Sequence, residues 1–132
     1  MSGVAGRNWA LIGDAAGCVN PLNGEGIDYG LETGRDVVGL LDEEDWTAAW
    51  PAELRRHYGE AFSIARRLAG LLTVPRILPA AGPVGMRSRP LMTVALRVMG
   101  NLVDDGDRDV VARLWRTAGR LSVKRDARPP FT

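Results

Sequence analysis

A segment rich in glycine and proline, residues 11–27, is the feature that most constrains the fold of this chain. It reads Leu-Ile-Gly-Asp-Ala-Ala-Gly-Cys-Val-Asn-Pro-Leu-Asn-Gly-Glu-Gly-Ile. The short apolar run before it, residues 8–13, ends in glycine and predicts a buried strand of an α/β sheet. A helical pattern follows from residue 26. This order of strand, glycine-rich loop and helix is typical of ligand-binding loops at the carboxyl edge of an α/β sheet.

The first half of the loop offers a carboxylate and free space. Gly13 lets a backbone come close to a ligand, and Asp14 follows it directly. A carboxylate at this place suits the hydroxyl groups of a sugar or ribityl chain as hydrogen-bond donors. Ala15 and Gly17 are small enough to leave room for a flat ring. A Gly-Asp pair alone is more often a turn, so only the ordered set of residues indicates a site.

The second half of the loop combines stiffness with a helix start. Pro21 fixes its own φ and biases Asn20 towards an extended conformation. The start of the following helix favours negative charge, because its free N–H groups and dipole point there. Glu25 could instead only complement that dipole. The candidate binding residues are Gly13, Asp14, Ala15, Gly17, Asn20, Pro21, Gly24, Glu25, Gly26 and Ile27.

Apolar residues at spacings of three and four predict about four helices after the loop. The first stripe is Ile27, Leu31, Gly34, Val38 and Leu41; the second covers residues 51–72, the third 91–102 and the last 110–121. Asp42 to Asp45 is expected to be a solvated break. Residues 104–107 are expected to form a turn, with Asp107 as a helix cap. Three prolines predict a loop over residues 73–90. With a single predicted strand, the partners of that strand are expected to lie outside this chain.

The charge distribution is uneven although the net charge is only +1. Residues 1–50 hold two arginines against nine acids, and residues 51–132 hold fifteen lysines or arginines against seven acids. A basic region of this kind indicates either solvated helix faces or contact with an anionic partner such as a membrane surface. Few aromatic residues lie among the arginines, so the pattern does not indicate nucleic-acid binding.

The compartment predicted for this chain is the cytoplasm, with peripheral contact at a membrane left open. The single cysteine, Cys18, cannot form an internal disulfide, and no apolar run is long enough to span a bilayer. Residues 1–7 lack the apolar stretch of a signal peptide. Cys18 is expected to be a small buried residue rather than a nucleophile, and no metal site is expected.

The ordered motif resembles the second flavin-binding motif of the geranylgeranyl reductase family. The match consists of Gly-Asp-Ala-Ala-Gly at 13–17, Asn-Pro at 20–21 and Gly-Glu-Gly-Ile at 24–27. Within that family, the chain is similar to actinobacterial members that saturate an isoprene unit of menaquinone. The resemblance implies that Asp14 binds the ribityl or pyrophosphate side of FAD. It also implies that residues 20–27 line the isoalloxazine ring.

The resemblance implies an α/β protein with the FAD/NAD(P)-binding Rossmann-like fold of the aromatic hydroxylase type. Of that fold, this mostly helical chain would hold one strand and about four helices. Residues 1–45 would end the FAD-binding domain, and residues 46–132 would form a helical C-terminal region. Family members begin with a Gly-x-Gly-x-x-Gly turn that seats the adenosine diphosphate, and this chain has none. We therefore expect a C-terminal segment that is inactive without the missing N-terminal half.

The function implied is FAD-dependent reduction of isoprenoid double bonds, with a prenyl lipid or quinone as substrate. The helices after residue 51 would cover the prenyl tail. Tyr29 and Cys18 lie near the motif, but neither has a supporting partner in sequence, so no proton donor can be named. Two alternatives stay open: a fragment of an FAD-dependent aromatic monooxygenase, and a non-catalytic, helical, lipid-facing binding fragment.

Overall fold

A computed structural model describes residues 3–100, 102–103, 106–128 and 130–131. This part of the chain is mostly helical, as predicted, with two short strands. The strands are β1 (Ala5–Gly6) and β2 (Trp9–Ala10), and the helices are α1 (Ile27–Asp36), α2 (Trp46–Leu72), α3 (Ile77–Arg87), α4 (Arg89–Met99) and α5 (Val110–Val123). Two 3₁₀ helices cover Gly13–Ala16 and Val37–Leu40. The Rossmann-like fold of the intact protein stays a prediction.

The N-terminal segment forms a small hairpin instead of the single buried strand that was expected over residues 8–13. β1 and β2 pair antiparallel, with Ala5 opposite Ala10 and Gly6 opposite Trp9. Leu11 extends the pairing, because its N–H donates to the carbonyl of Val4 at 2.8 Å. The prediction of one strand was therefore wrong. The strand finds a partner within the chain through a tight turn.

Helix α1 follows the loop as predicted, but its apolar stripe faces outward. Ile27 is 81% exposed and Leu31 is 72% exposed, and Val38 and Leu41 are also exposed. The buried side of α1 instead carries Tyr29 and the fully buried Thr33. Periodicity indicated which residues share a face of the helix, but it named the wrong face as the buried one.

Helix α2 is the long central helix, and it begins five residues earlier than residue 51. Its N-cap is Asp45, whose Oδ1 accepts a hydrogen bond from the N–H of Thr47 at 2.8 Å. Pro51 therefore lies inside the helix rather than in its first turn. The predicted core positions of α2 are confirmed at Leu54, Tyr58 and Phe62, which are buried.

An aromatic cluster joins α1, α2 and the C-terminal tail. The ring of Tyr29 packs edge-on against Tyr58 and Phe62, with centroids 5.4 and 5.1 Å apart. Phe131 adds a ring 5.7 Å from Phe62, and its carbonyl accepts a hydrogen bond from Arg55 Nη1 at 2.7 Å. Aromatic pairs of this geometry are favourable beyond the area that they bury. The cluster therefore fixes α1 on α2.

Helices α2 and α5 pack closely through small and polar residues. A Cβ at Gly119 would lie only 3.0 Å from the carbonyl oxygen of Glu60, so any other residue at this position would require the helices to shift slightly apart. The hydroxyls of Ser63 and Ser122 lie 2.7 Å apart in the buried interface. Arg67 Nε donates to Ser122 Oγ at 2.7 Å, and the same guanidinium pairs with Asp126 at 2.9 Å.

Residues 77–87 form helix α3, although three prolines predicted a loop over residues 73–90. Pro79 lies in the first turn of α3, where the N–H has no partner within the helix. Pro83 removes one interior hydrogen bond, which the helix tolerates. The prediction of a loop was wrong, because only residues 73–76 and Ser88 lie outside the helices in this stretch.

Two acids hold the end of α4 beside the start of α5. Arg97 contacts Asp107 at 2.7 Å and Asp109 at 2.5 Å. Asp109 is the N-cap of α5, since its Oδ1 accepts from the N–H of Ala112 at 2.9 Å. The prediction that Asp107 is this cap was wrong, because Asp107 pairs with Arg97 instead. Asp104 and Asp105, predicted to form a turn, lie outside the described residues. The stripe predicted for α4 ends early, because Leu102 follows the helix and is exposed.

In the described part of the chain, no single helix has the length and apolar character that crossing a membrane requires. Helices α2 and α3 meet that criterion only as a pair, with a bend of 106° between them.

Candidate functional site

The glycine-rich loop is anchored on α1 at its first residue. The N–H of Gly13 donates to Thr33 Oγ1 at 2.9 Å, and that hydroxyl donates to the carbonyl of Tyr29 at 2.6 Å. Gly13 has a φ of +54°, and a Cβ there would lie 3.2 Å from the Cα of Gly30. The backbones of the loop and of α1 therefore approach each other closely at Gly30. A side chain at residue 13 would disturb both the backbone conformation and the packing.

A 3₁₀ turn then presents Asp14 and Ala15 to solvent. The turn ends at Gly17, which has a φ of +74° and donates its N–H to the carbonyl of Asp14 at 2.9 Å. No atom of the described residues lies within 4 Å of the position that a Cβ would take at Gly17. The loop therefore offers bare backbone beside an exposed carboxylate.

The middle of the loop is closed by hydrogen bonds between its own residues. The N–H of Asn20 donates to the carbonyl of Glu25 at 2.7 Å, and the N–H of Gly24 donates to the carbonyl of Asn20 at 2.9 Å. Asn20 Oδ1 accepts from the N–H of Leu22 at 2.9 Å, and Asn23 Oδ1 accepts from the N–H of Glu25 at 2.9 Å. These side-chain turns and Pro21 give the loop one conformation.

Glu25 caps the start of α1 with one carboxylate oxygen. Its Oε1 accepts a hydrogen bond from the N–H of Asp28 at 3.0 Å. Its Oε2 is buried and has no hydrogen-bond partner within the described ranges. The reading of Glu25 as a partner of the helix dipole is therefore supported by the contact. The second oxygen can therefore accept a hydrogen bond that none of the described residues donates.

Asp14 and Gly26 bring the two halves of the loop together. A Cβ at Gly26 would lie 2.6 Å from Asp14 Oδ1 and 3.3 Å from Val19 Cγ2. Only glycine therefore fits at residue 26 with the carboxylate where it is. The Asp14 carboxylate lies next to the residue that precedes α1, although twelve residues separate the two in sequence.

The candidate residues fall into a surface set and a supporting set. Gly13 and Asn20 are buried and hold the backbone in place. Pro21, Glu25 and Gly26 are half-buried. The exposed members, which a ligand can reach, are Asp14, Ala15, Gly17, Gly24 and Ile27.

The two reactive side chains near the loop belong to the core. Cys18 is fully buried, and this burial, helped by the charge of Asp14, raises the pKa of its thiol to about 12. A thiol with so high a pKa is a poor nucleophile at neutral pH. Tyr29 is buried in the aromatic cluster. Among the described residues, no three His, Cys, Asp or Glu side chains are grouped as a metal site requires.

An apolar groove lies between α2, α4 and α5, beside the loop, and sequence reasoning did not locate it. It has two adjoining lobes of about 310 and 380 Å³. Leu68, Val94, Val98 and Trp115 line both lobes. The exposed apolar residues of the predicted stripes on α4 and α5 were the available signal, because such residues gather where a surface is left open.

The loop and the groove are in contact. Leu22 lines one lobe of the groove. Leu22 and Asn20 also border a small cavity of about 40 Å³, which Val98 and Trp115 close from the groove side. Asn23 Nδ2 donates to the carbonyl of Met99 at 2.7 Å and so ties the loop to the end of α4. The candidate ligand loop thus forms one end of the groove.

The chain is similar along its whole length to one class of enzyme, the reductases. The particular relatives are menaquinone reductases of Mycobacterium tuberculosis, strains CDC 1551 and H37Rv, each 64% identical over 132 residues. The menaquinone reductase of Mycolicibacterium smegmatis is 62% identical over 135 residues. The predicted resemblance to menaquinone-acting enzymes is confirmed.

The chain covers only part of these relatives. All of it is matched, but it spans 32 to 33% of their length. No protein-family model matches the chain. No solved structure matches it significantly.

Proposed function

We propose that this chain is a segment of an FAD-dependent oxidoreductase that reduces a double bond in the prenyl chain of menaquinone or a related isoprenoid. The observation that carries this proposal is the 64% identity to menaquinone reductases over every residue of the chain. The match includes the glycine-rich loop, whose geometry suits a ligand with hydroxyl groups and a flat ring. Because the chain spans about a third of its relatives, the remaining part of the enzyme would complete the site.

Three features of the loop support the proposal that it holds FAD. Gly26 leaves only a narrow space beside the Asp14 carboxylate, and Gly17 and Gly24 expose backbone with nothing within 4 Å of a Cβ position. The buried Oε2 of Glu25 is an acceptor without a partner in the described chain. When bound, FAD would supply the hydride that saturates the double bond.

The residues of this chain would bind and orient the cofactor. Asp14 would accept hydrogen bonds from ribityl hydroxyls, and residues 20–27 would lie along the ring. Gly13 and Thr33 would hold Asp14 in place through their 2.9 Å hydrogen bond. The start of α1 offers less positive potential than the sequence indicated, because Glu25 already accepts from the N–H of Asp28. No described side chain is assigned as proton donor.

We further propose peripheral contact between α3 and an anionic membrane. Leu78, Val84 and Met86 are exposed on this helix, and Met86 is 78% exposed. Arg87 ends the helix and Arg89 follows it, both exposed. Apolar side chains beside arginines suit the boundary between lipid head groups and acyl chains. Vesicles of phosphatidylglycerol should sediment with the chain, and Arg87→Glu should reduce the bound fraction.

The cofactor proposal is tested in a chimera. Residues 1–132 replace the matching third of the Mycobacterium tuberculosis menaquinone reductase, and bound flavin is measured by its visible absorbance. Asp14→Ala should lower flavin occupancy, because a hydrogen bond to a carboxylate contributes about 1.5–3 kcal/mol. Asp42→Ala, in the exposed acidic break, is the matched control and should leave occupancy unchanged.

The activity is read in the same chimera by the mass of the prenyl quinone, which increases by two hydrogens for each saturated bond. Equal flavin content in the Asp14 and Asp42 variants would contradict the role of Asp14. Reduction of the substrate by a chimera free of flavin would contradict the cofactor. A flavin-loaded chimera that leaves the prenyl chain unsaturated would contradict the reaction.

A further inference from the structure

We propose that the apolar groove between α2, α4 and α5 is the binding site for the isoprenoid tail of the substrate. This inference rests on the proposed function and assigns to the tail a site distinct from the cofactor loop. The lining residues shared by both lobes are Leu68 on α2, Val94 and Val98 on α4, and Trp115 on α5.

The lining of the groove consists of hydrocarbon side chains, the indole of Trp115 and the thioether of Met99. Ile64, Val111, Leu114 and Ala118 complete one lobe. Leu22, Leu72, Leu91, Ala95 and Met99 complete the other. No charged side chain is among them, so the part of an occupant that lies in the groove must be uncharged. Leu114, at 64% exposed, keeps apolar surface in water that a bound tail would cover.

A hydrocarbon tail suits this surface better than a protein segment does. An extended peptide would bring N–H and carbonyl groups against walls that almost entirely lack polar surface, and those groups would lose hydrogen bonds. An isoprenoid chain is thin and needs no hydrogen-bond partner.

The position of the groove places a bound tail beside the candidate cofactor loop. Leu22, from the Asn-Pro-Leu-Asn stretch, forms part of the groove wall. The cavity of about 40 Å³ behind it connects Asn20 with Val98 and Trp115. At the other end of the groove lie Leu72, the last residue of α2, and Leu91, in the first turn of α4. Helix α3 connects these two points in sequence. A tail could therefore run from the α3 end of the chain to the loop.

The test uses the 132-residue chain and measures quenching of tryptophan fluorescence by naphthoquinones. The probes are menadione, which has no tail, and menaquinones with one, two and four isoprene units. Affinity should rise roughly tenfold with each added unit until the groove is filled, because each unit buries more apolar surface. Equal affinity for menadione and the four-unit quinone would overturn the proposal.

Two matched pairs of variants locate the site. Val94→Phe fills the shared part of the groove, and Val84→Phe makes the same change on the exposed side of α3. Leu114→Gln puts a polar group on the groove wall, and Leu121→Gln does so on the same helix outside it. The groove variants should weaken binding of the four-unit quinone at least about tenfold, which is about 1.4 kcal/mol. The controls should bind as the original chain does.

Circular dichroism shows which variants are folded, and the Leu114 pair decides the outcome if Val94→Phe does not fold. Unchanged binding in both groove variants would overturn the site even if the chimera reduces its substrate. Loss of tail binding in the groove variants, with flavin binding retained when the same substitutions are made in the chimera, would support the groove independently of the reaction. A dimer in sedimentation that Leu114→Gln dissociates, without tail binding, would show that a second copy occupies the groove and would overturn the proposal.

Discussion

The two faces of α1 differ in burial: other residues of this chain cover the inner face, and the outer face is exposed. The inner face packs Tyr29 into the aromatic cluster and hydrogen-bonds Thr33 to the loop. The outer face holds Ile27 and Leu31, which stay in solvent. Both faces carry apolar residues, so apolarity alone did not decide which one is buried. The inner face has a partner in this chain, and the outer face has none among the described residues.

The largest effect on stability is expected at Trp50, a core residue of α2. Trp50 is fully buried, and its Nε1 donates to the carbonyl of Leu11 at 2.8 Å. Trp50→Ala should lower the free energy of unfolding by about 3–5 kcal/mol, because it removes packing and leaves a cavity. Urea denaturation followed by far-UV circular dichroism measures the change. A decrease in the free energy of unfolding of less than about 1 kcal/mol would show that the core around Trp50 does not unfold cooperatively with the rest of the chain.

A smaller loss is expected where the loop joins the inner face. Thr33→Val keeps the shape of the side chain but leaves the buried N–H of Gly13 without its partner. The free energy of unfolding should fall by about 1–3 kcal/mol. The control is Thr117→Val on α5, whose hydroxyl donates to the Arg113 carbonyl in an exposed position and should matter little. Equal stability of the two variants would mean that the loop is held by other contacts.

The aspartates that cap α2 and α5 make the stability of the chain depend on pH. A hydrogen bond from Thr47 lowers the pKa of Asp45, and the N–H of Ala112, with Arg97, lowers the pKa of Asp109. A lowered pKa in the folded state adds stability above the unfolded pKa, which is lost as the pH falls through the folded value. The melting temperature should therefore drop below about pH 4, and Asp45→Asn should make that drop shallower. A drop that this variant leaves unchanged would exclude Asp45 as a contributor.

The smallest effect is expected on the outer face. Leu31→Ala should change the free energy of unfolding by no more than about 0.5 kcal/mol, since the side chain is exposed. The same change in the chimera with the menaquinone reductase should cost about 2–5 kcal/mol if the additional polypeptide covers this face. Comparing the two melting curves tests whether the outer face is an internal surface of a larger protein. Equal, small changes in both would show that it faces solvent there too.

Sequence reasoning succeeded where local pattern decides the structure. The spacing of Leu54, Tyr58 and Phe62 predicted the buried side of α2, because those residues find their partners within the chain. It failed for the outer face of α1, since periodicity does not say which surface a partner covers. It also failed at α3, where one proline lies in the first turn and the other removes one hydrogen bond.

The candidate site was predicted as a set of residues but not as a shape. The sequence indicated a carboxylate near a helix start, and the structure places Asp14 beside Gly26. The anchoring hydroxyl of Thr33 was missed because it lies twenty residues from Gly13, on the helix. The groove was missed because its walls come from three helices, and their arrangement depends on long-range packing.

The glycine at residue 119 has a consequence beyond packing. Because a Cβ there would meet the carbonyl of Glu60 at 3.0 Å, this residue sets the distance between α5 and α2. Those helices form two walls of the groove, so Gly119 also influences the width of the groove. A methyl group at residue 119 would press on that carbonyl, and one of the two helices would have to shift by a few tenths of an ångström to admit it. A substitution at Gly119 could therefore change which hydrocarbon chains fit the groove, although Gly119 does not itself line it.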